Sequence, residues 1–360
     1  MRIGLVVQPL ERTPPIGYGS VERTVGHLAD ALVARGHEIT LFASGDSQTS
    51  ARLVPAVARA ILHDLDYDGL PWWPNNIQIA QVVEMQDQFD VINSHSWYGF
   101  LPALHALDVV AVTHWHGRTD RPITRSVLSH YRFAPLVASS THQRRETEDL
   151  GLNWIATVYS GIPANKAPYS EESDDYLVFL GRIAPVKRPD IAIRVAREAR
   201  LGVKLIGKVL PEDRGYFESA VKPQLDVPGV EFLGEMDDAQ KFPVLSRALG
   251  LIHPAEWEAC SISLIESLAC GTPVVCLDRG GNAEVVVDGK QGFVRSSFGE
   301  MPEACARLRE ISRPACRQRF LAEFTIERMA DRYLDVLERA MEEQPAPREA
   351  ARRARAARRD

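Results

Sequence analysis

Glu258 and Glu266 bracket the run Glu-Ala-Cys-Ser-Ile-Ser-Leu-Ile-Glu, and Ser-Leu-Ala-Cys-Gly-Thr-Pro-Val-Val-Cys follows at once. The first carboxylate belongs to a loop that enters a helix, the second to the helix itself, and a Gly-Thr-Pro turn then leads into an apolar strand. Acids at the carboxyl end of one strand and the amino end of the next helix stand where open α/β sheets hold their ligands. Upstream, Leu-Gly-Arg182-Ile-Ala-Pro-Val-Lys187 sets two cations just past the strand pattern Leu177-Val-Phe-Leu. Arg offers a planar fork and Lys a compact point charge, so the pair can hold a pyrophosphate and stabilise it as it leaves. Glu266, one turn into the helix predicted over 263–270, can accept the hydrogen bonds of a ribose 2′,3′-diol. Glu258, nearer the positive end of that helix, points at a sugar or diphosphate, and the backbone N–H groups of Cys260, Ser261, Ile262 and Ser263 are donors for phosphate oxygens. Each of these residues taken alone also reads as surface charge; as a set they describe a nucleotide-sugar site.

A second group lies in the first half. Pro14-Pro-Ile-Gly17-Tyr-Gly19-Ser-Val-Glu-Arg follows the first strand and precedes the first helix. Two glycines there permit close backbone approach to a phosphate. This is no dinucleotide fingerprint, because Glu22 stands where a third glycine belongs, and a simple turn is the competing reading. His95, in Asn-Ser-His-Ser-Trp, and His116, in His114-Trp-His-Gly, each follow a strand and are expected on the acceptor side of one site. A metal site there lacks any recognisable ligand spacing, so no metal is expected. The six arginines between Arg118 and Arg145 read as a solvated basic face, with an anionic acceptor or membrane surface as the sharper alternative.

These residues need strands to carry them. Ile3 to Val7 is an apolar run; Val21, Val25, Leu28 and Leu32 recur at helical spacing and stop at Gly36. His37 to Ala43, Asp90 to Asn93, Val109 to Thr113, Leu136 to Ser140 and Ile155 to Tyr159 are further strand candidates. Between Gly161 and Tyr176 two prolines and Ser170-Glu-Glu-Ser-Asp-Asp make a polar linker. A second alternating series follows: Tyr176 to Leu180, a helix from Asp190 to Arg200, Val203 to Ile206, Val230 to Leu233, Leu249 to His253 and Pro273 to Leu277. Strands separated by helices imply parallel, covered sheets. The expected organisation is α/β: a Rossmann-like domain over 1–165, a donor domain over 176–324, and a helix near 325–341 that could pack on either.

Composition agrees. Of 360 residues, 45% are apolar and 25% charged, as in ordinary globular proteins. No apolar run reaches the roughly 18 residues of a membrane span, and Met1 to Pro9 reads as a first strand rather than a signal segment. The five cysteines have no CxxC spacing, which suits a reducing, cytoplasmic setting. Net charge is −6, and because Arg348 to Asp360 holds six Arg against two acids, the remainder carries about −10. That acidity argues against nucleic acid as a partner, and membrane contact is peripheral at most. The Arg-rich segment 345–360 reads as a solvated extension.

Together these segments resemble the retaining glycosyltransferases of family 4. The likeness rests on Gly181-Arg182…Lys187, Glu258…Glu266 and Ala269-Cys-Gly-Thr-Pro-Val-Val275, supported by Phe232-Leu-Gly-Glu-Met-Asp-Asp-Ala-Gln-Lys241 and Gly281-Asn-Ala-Glu-Val. The resemblance implies a GT-B fold, two facing Rossmann-like doubly wound domains with parallel sheets and an inter-domain cleft. It implies that the last helix returns to the first domain. Arg182 and Lys187 would take the donor diphosphate, Glu266 the ribose and Glu258 the donor sugar. Gly19 would close on the phosphate, Met236, Asp238 and Lys241 would line the base, and His116 would lie near the reacting sugar, with His95 and Gly17 on the acceptor side. It further implies retention of anomeric configuration, no metal and no cofactor beyond the NDP-sugar co-substrate. Two departures bear on sugar choice: Cys260-Ser261 stands where the family has Phe-Gly, and Gly19-Ser20 where it has Gly-Gly. A nucleotide-sugar epimerase and a catalytically inactive nucleotide-sugar-binding subunit remain as alternatives.

Overall fold

The structure is a computed structural model that describes residues 1–63 and 72–356. Backbone contacts divide the chain into two compact units. One comprises Met1–Pro15, Gly19–Ser160 and the chain from Ile326 onward; the other comprises Ile16–Tyr18 and Gly161–Thr325.

In the first unit, β1 (Arg2–Val6), β2 (Glu38–Ala43), β3 (Arg52–Pro55), β4 (Val91–Ser94), β5 (Val110–Trp115), β6 (Leu136–Ala138) and β7 (Trp154–Thr157) form one sheet. Its order is β3-β2-β1-β4-β5-β6-β7, and every pairing is parallel. Side chains alternate across it. Ile3, Leu5 and Val7 join Val25, Leu28 and Leu32 of the helix Ser20–Ala34 on one face, while Val6, Ile92, Ala111 and Trp115 fill the other. A strand covered on both faces needs the near-continuous apolar runs seen in β1 and β5.

The helix Ile326–Glu343 completes the first of these cores. Ile326, Met329, Tyr333, Val336, Leu337 and Ala340 recur at helical spacing and are buried against β4, β5, β7 and the helix Ser20–Ala34. Full burial of each large apolar side chain contributes about 1.5–3 kcal/mol, so this returning helix is integral to the unit.

In the second unit, β8 (Tyr176–Leu180), β9 (Gly202–Ile206), β10 (Val230–Gly234), β11 (Gly250–His253), β12 (Val274–Leu277) and β13 (Gly292–Arg295) form a parallel sheet ordered β10-β9-β8-β11-β12-β13. Both sheets therefore reverse their direction of growth beside their first strand, at β1/β4 and at β8/β11. Such a switch point opens a crevice at the carboxyl ends of the strands.

Three differences from the sequence reading stand out. The edge strands β3 and β13 were not expected; each is four residues long, and β3 is half-buried to exposed, so neither period is visible. The segment 345–360, expected as a solvated extension, instead carries a helix over Pro347–Ala356. Its alanines favour helix, Ala351 is buried, and Arg348 donates its backbone N–H to Leu107 O at 3.1 Å while its guanidinium meets Asp108 at 3.1 Å. Gly17, expected with the first unit, clusters with the second.

Candidate active site

The second unit brings Lys187 and Glu258 together at its β8/β11 switch point. Past β8 the chain turns through Ile183 and Ala184, both fully buried, and Lys187 N–H donates to Ala184 O at 3.0 Å. That turn throws the Lys187 side chain across to Glu258, which follows β11, and the two form an ion pair. The neighbouring Arg188 has a left-handed backbone, φ 55°, at the start of the helix Pro189–Glu198. Its guanidinium forks onto Asp190 at 3.0 and 2.9 Å and reaches Glu256 at 2.8 Å. Lys187 and Arg188 thus staple the loop after β8 to the loop after β11, and Glu256 N–H to Val186 O, 3.0 Å, closes the seam.

Glu258 is held from three sides. His253 Nε2 lies 3.1 Å from its Oε1, out of line for a good hydrogen bond. Its carbonyl accepts from Gly281 N–H at 2.9 Å, and Gly280, at φ 59°, passes so close that an added Cβ would fall 1.8 Å from that oxygen. Burial opposes the charge on Glu258, but Lys187 and His253 outweigh it and hold the carboxyl at about 2. Glu258 is therefore an anion at any physiological pH.

Arg182 has separate partners: Asp213 at 3.2 Å and Glu212 at 3.5 Å, in the turn after β9. Burial raises the Asp213 carboxyl against the pull of Arg182. Both expected phosphate cations are thus paired with protein acids in this structure, and a diphosphate would have to exchange with those carboxylates.

Ser261 precedes the helix Ile262–Ala269, and its Oγ lies 2.9 Å from Ser263 Oγ rather than capping a backbone amide. Cys260 is half-buried and Ser261 buried. The helix ends in a Schellman motif: Gly271, φ 75°, donates to Leu268 O at 3.0 Å and Thr272 donates to Ser267 O at 2.9 Å. That geometry is why Ala-Cys-Gly-Thr-Pro joins this helix to β12. Glu266, on the same helix, is 3% exposed and meets Lys241 Nζ at 2.7 Å. Lys241, expected among base-lining residues, instead commits its ammonium to Glu266 and, at 2.9 Å, to Asp238. Met236 and Asp238 are half-buried around the start of the helix Asp238–Arg247, which Asp237 and Gln240 close with a reciprocal capping box.

In the first unit, His95 follows β4, His114 lies near the end of β5 and His116 follows it. His95 Nδ1 lies 2.8 Å from His116 Nε2, and His114 stacks on His116. His114 Nδ1 pairs with Tyr333 Oη of the returning helix, and its Nε2 lies 2.8 Å from Ser139 Oγ. Burial lowers all three basicities: His95 and His114 well below 6.5, and His116, which keeps an open edge, to about 3. These are neutral imidazoles at neutral pH. Their ligating nitrogens lie within 4.8 Å of one another, but the rings lie 8° to 25° from parallel. His95 and His116 share one hydrogen bond and His114 spends both nitrogens on Tyr333 and Ser139, so in this structure the cluster is a hydrogen-bonded network. Gly19, φ 145°, starts the helix Ser20–Ala34 beside Pro15 and Glu11. The sequence singles out His95 and His116 as candidates but gives no local signal for Tyr333, Arg188 and His253, whose partners lie 219, 68 and 5 residues away.

Residues 21–166 match the family model described as Glycosyltransferase Family 4, and residues 162–312 match Glycosyl transferases group 1. The chain is 25% identical to a D-inositol 3-phosphate glycosyltransferase of Frankia alni over 87% of this chain and 91% of that one. Among solved structures it is similar to sucrose-phosphate synthase from Thermosynechococcus elongatus, with TM-score 0.79 and 17% identity over 94% of this chain and 98% of that one. It is likewise similar to Anabaena HepE in complex with UDP and glucose, with TM-score 0.75 and 16% identity over 94% and 99%. Among the described residues no helix is long and apolar enough to cross a membrane.

Proposed function

Since the chain is a glycosyltransferase of the GT-B fold related to those two families, we propose that it moves a hexosyl unit from an NDP-sugar to an acceptor hydroxyl, retaining anomeric configuration and requiring no metal. The observation that carries this reading is the meeting of Lys187 and Glu258 at the β8/β11 switch point. There a cation and a permanently charged acid stand together where a parallel sheet offers its ligand crevice.

In this reading the donor diphosphate draws Lys187 from Glu258 and Arg182 from Asp213. Glu258 is left to receive sugar hydroxyls as hydrogen-bond donors. The amides of Cys260, Ser261, Ile262 and Ser263 supplement the two cations, and Gly19 lets backbone approach the phosphate. Glu266 takes the ribose diol. The bond from the anomeric carbon to the NDP oxygen breaks while the acceptor oxygen bonds that carbon on the same face, and the acceptor proton passes to the departing phosphate. Arg182 and Lys187 stabilise the charge that develops on that phosphate, the part a divalent ion plays elsewhere. The neutral His116, steadied by His95, offers a hydrogen bond on the acceptor side.

The test is to incubate the protein with a panel of NDP-hexoses and hydroxyl acceptors and to read the new linkage by NMR. An α-donor giving an α-product supports the reading; an inverted product overturns it. A donor-only incubation that yields an epimer would mark an epimerase, and tight donor binding without transfer or hydrolysis an inactive binding subunit.

A further inference from the structure

We propose that Lys241 is a positioning residue for Glu266, aiming that carboxylate so that it selects a ribose over a 2′-deoxyribose. The proposal rests on the reading of Glu266 as the ribose-binding acid.

The ion pair is secluded: the Lys241 side chain is 7% exposed and that of Glu266 5%. Nζ sits 2.7 Å from Glu266 Oε1 and 2.9 Å from Asp238 Oδ1. Asp238 and Lys241 share the first turn of one helix, whose start is fixed by the Asp237–Gln240 capping box, while Glu266 belongs to another. A rigid helix start therefore sets where the ammonium stands, and the ammonium sets where Glu266 points. Among the described residues no protein group hydrogen-bonds Glu266 Oε2. One ammonium faces two carboxylates, so a net negative charge remains, which suits a pair of hydroxyl donors.

Without the ammonium, Glu266 would be a buried charge lacking a partner. Such a group turns toward water or another partner. That change costs the diol its acceptor, because a turned carboxylate is out of its reach. Lys241 therefore acts through Glu266 and touches no ligand itself.

The experiment measures dissociation constants of whichever of UDP, GDP and ADP most stabilises the wild type, and of its 2′-deoxy form, for four proteins. Wild type should prefer the ribonucleotide by about tenfold, the scale of a hydrogen bond to a charged group. Lys241→Met should bring the two within about twofold by weakening the ribonucleotide alone, and Lys241→Arg should restore the preference. Glu266→Gln should lose most of it as well. If Lys241→Met weakens both nucleotides equally, or only lowers the melting temperature, the proposal fails. If Glu266→Gln keeps the full preference, the reading of Glu266 fails instead. Should Lys241→Met not fold, Lys241→Gln, which keeps a donor and drops the charge, serves the same comparison.

Discussion

The imidazoles of His114 and His116 stack face to face, with centroids 4.1 Å apart and planes 8° from parallel. The donors around them fix the tautomer of His114. Ser139 gives its hydroxyl proton to Trp115 O at 3.3 Å, so it accepts from His114 Nε2–H, and Nδ1 is left to accept from Tyr333. Tyr333, its phenol pushed well above 10 by burial, has that proton to give.

Tyr333→Phe removes this donor and leaves a buried acceptor unpaired. The expected cost is about 1–3 kcal/mol of stability, with a loss of turnover smaller than that of His116→Ala. Urea unfolding with an unchanged slope, and initial rates, check both; a variant as stable as wild type would show that the bond contributes nothing.

Lys187→Met should slow transfer by about 10²–10³-fold, the scale of losing a strong preorganised donor. Because Lys187 and Glu258 touch, the stability losses of Lys187→Met and Glu258→Gln should fall short of additive in the double variant by about 0.5–3 kcal/mol. A cycle that closes additively would mean that the pair is not coupled in solution.

Acid should weaken the fold early. The three imidazoles have folded values far under 6.5. Below that pH the unfolded chain binds protons that the native state refuses. Their stabilisation is thus complete above about 6.5 and drains as pH falls toward 3, by at most about 1.4 kcal/mol per pH unit each. His116, with an open edge, contributes least. Glu258, ordinarily near 4.5 and here about 2, adds a loss between those values. Glu22, raised to about 7 by burial and by Glu11, works in the opposite sense between 4.5 and 7. Three imidazoles outweigh one carboxyl, so the urea midpoint should be lower at pH 5 than at pH 7; a higher one would sink this account.

Chelation should leave catalysis intact. Transfer after exhaustive dialysis against EDTA is expected within about twofold of the untreated rate, because the leaving phosphate is met by Arg182 and Lys187. A strict requirement for added Mg²⁺ or Mn²⁺ would overturn the metal-independent mechanism.

Gly280→Ala and Gly289→Ala make an informative pair. Both positions have positive φ, 59° and 73°, but a Cβ at 280 would strike Glu258 O at 1.8 Å, whereas at 289 nothing lies within 4 Å. Alanine at 289 should cost about 1 kcal/mol from backbone strain. At 280 it should cost more and also displace Glu258, raising the donor KM. Equal effects on stability and KM would show that the close approach is unimportant.

Much of this was legible in the sequence where local periodicity speaks. The strand Tyr176–Leu180 was read with its observed limits, and the last helix within two residues at each end. Arg182, Lys187, Glu258 and Glu266 can be singled out as candidates because switch-point loops follow strands whose alternation is plain. What escaped was partnering across long separations. No spacing rule says that Lys241 will turn to Glu266, 25 residues on, rather than to a nucleotide base, or that Tyr333 will reach back to His114. The helix Pro347–Ala356 escaped because its anchor, Leu107 O, is a backbone group that composition does not reveal.

The return of Ile326–Glu343 to the first unit has a bearing on biosynthesis. Residues up to Ser160 include all seven strands of that unit's sheet, yet Met329, Tyr333, Val336 and Leu337 cover one of its faces. On the ribosome, at about 5–20 residues per second, the helix Ser20–Ala34 can cover only part of that face until 326–343 emerges. The second unit, encoded in between, has its whole sheet in hand by Arg295, so the later-made half is positioned to finish first.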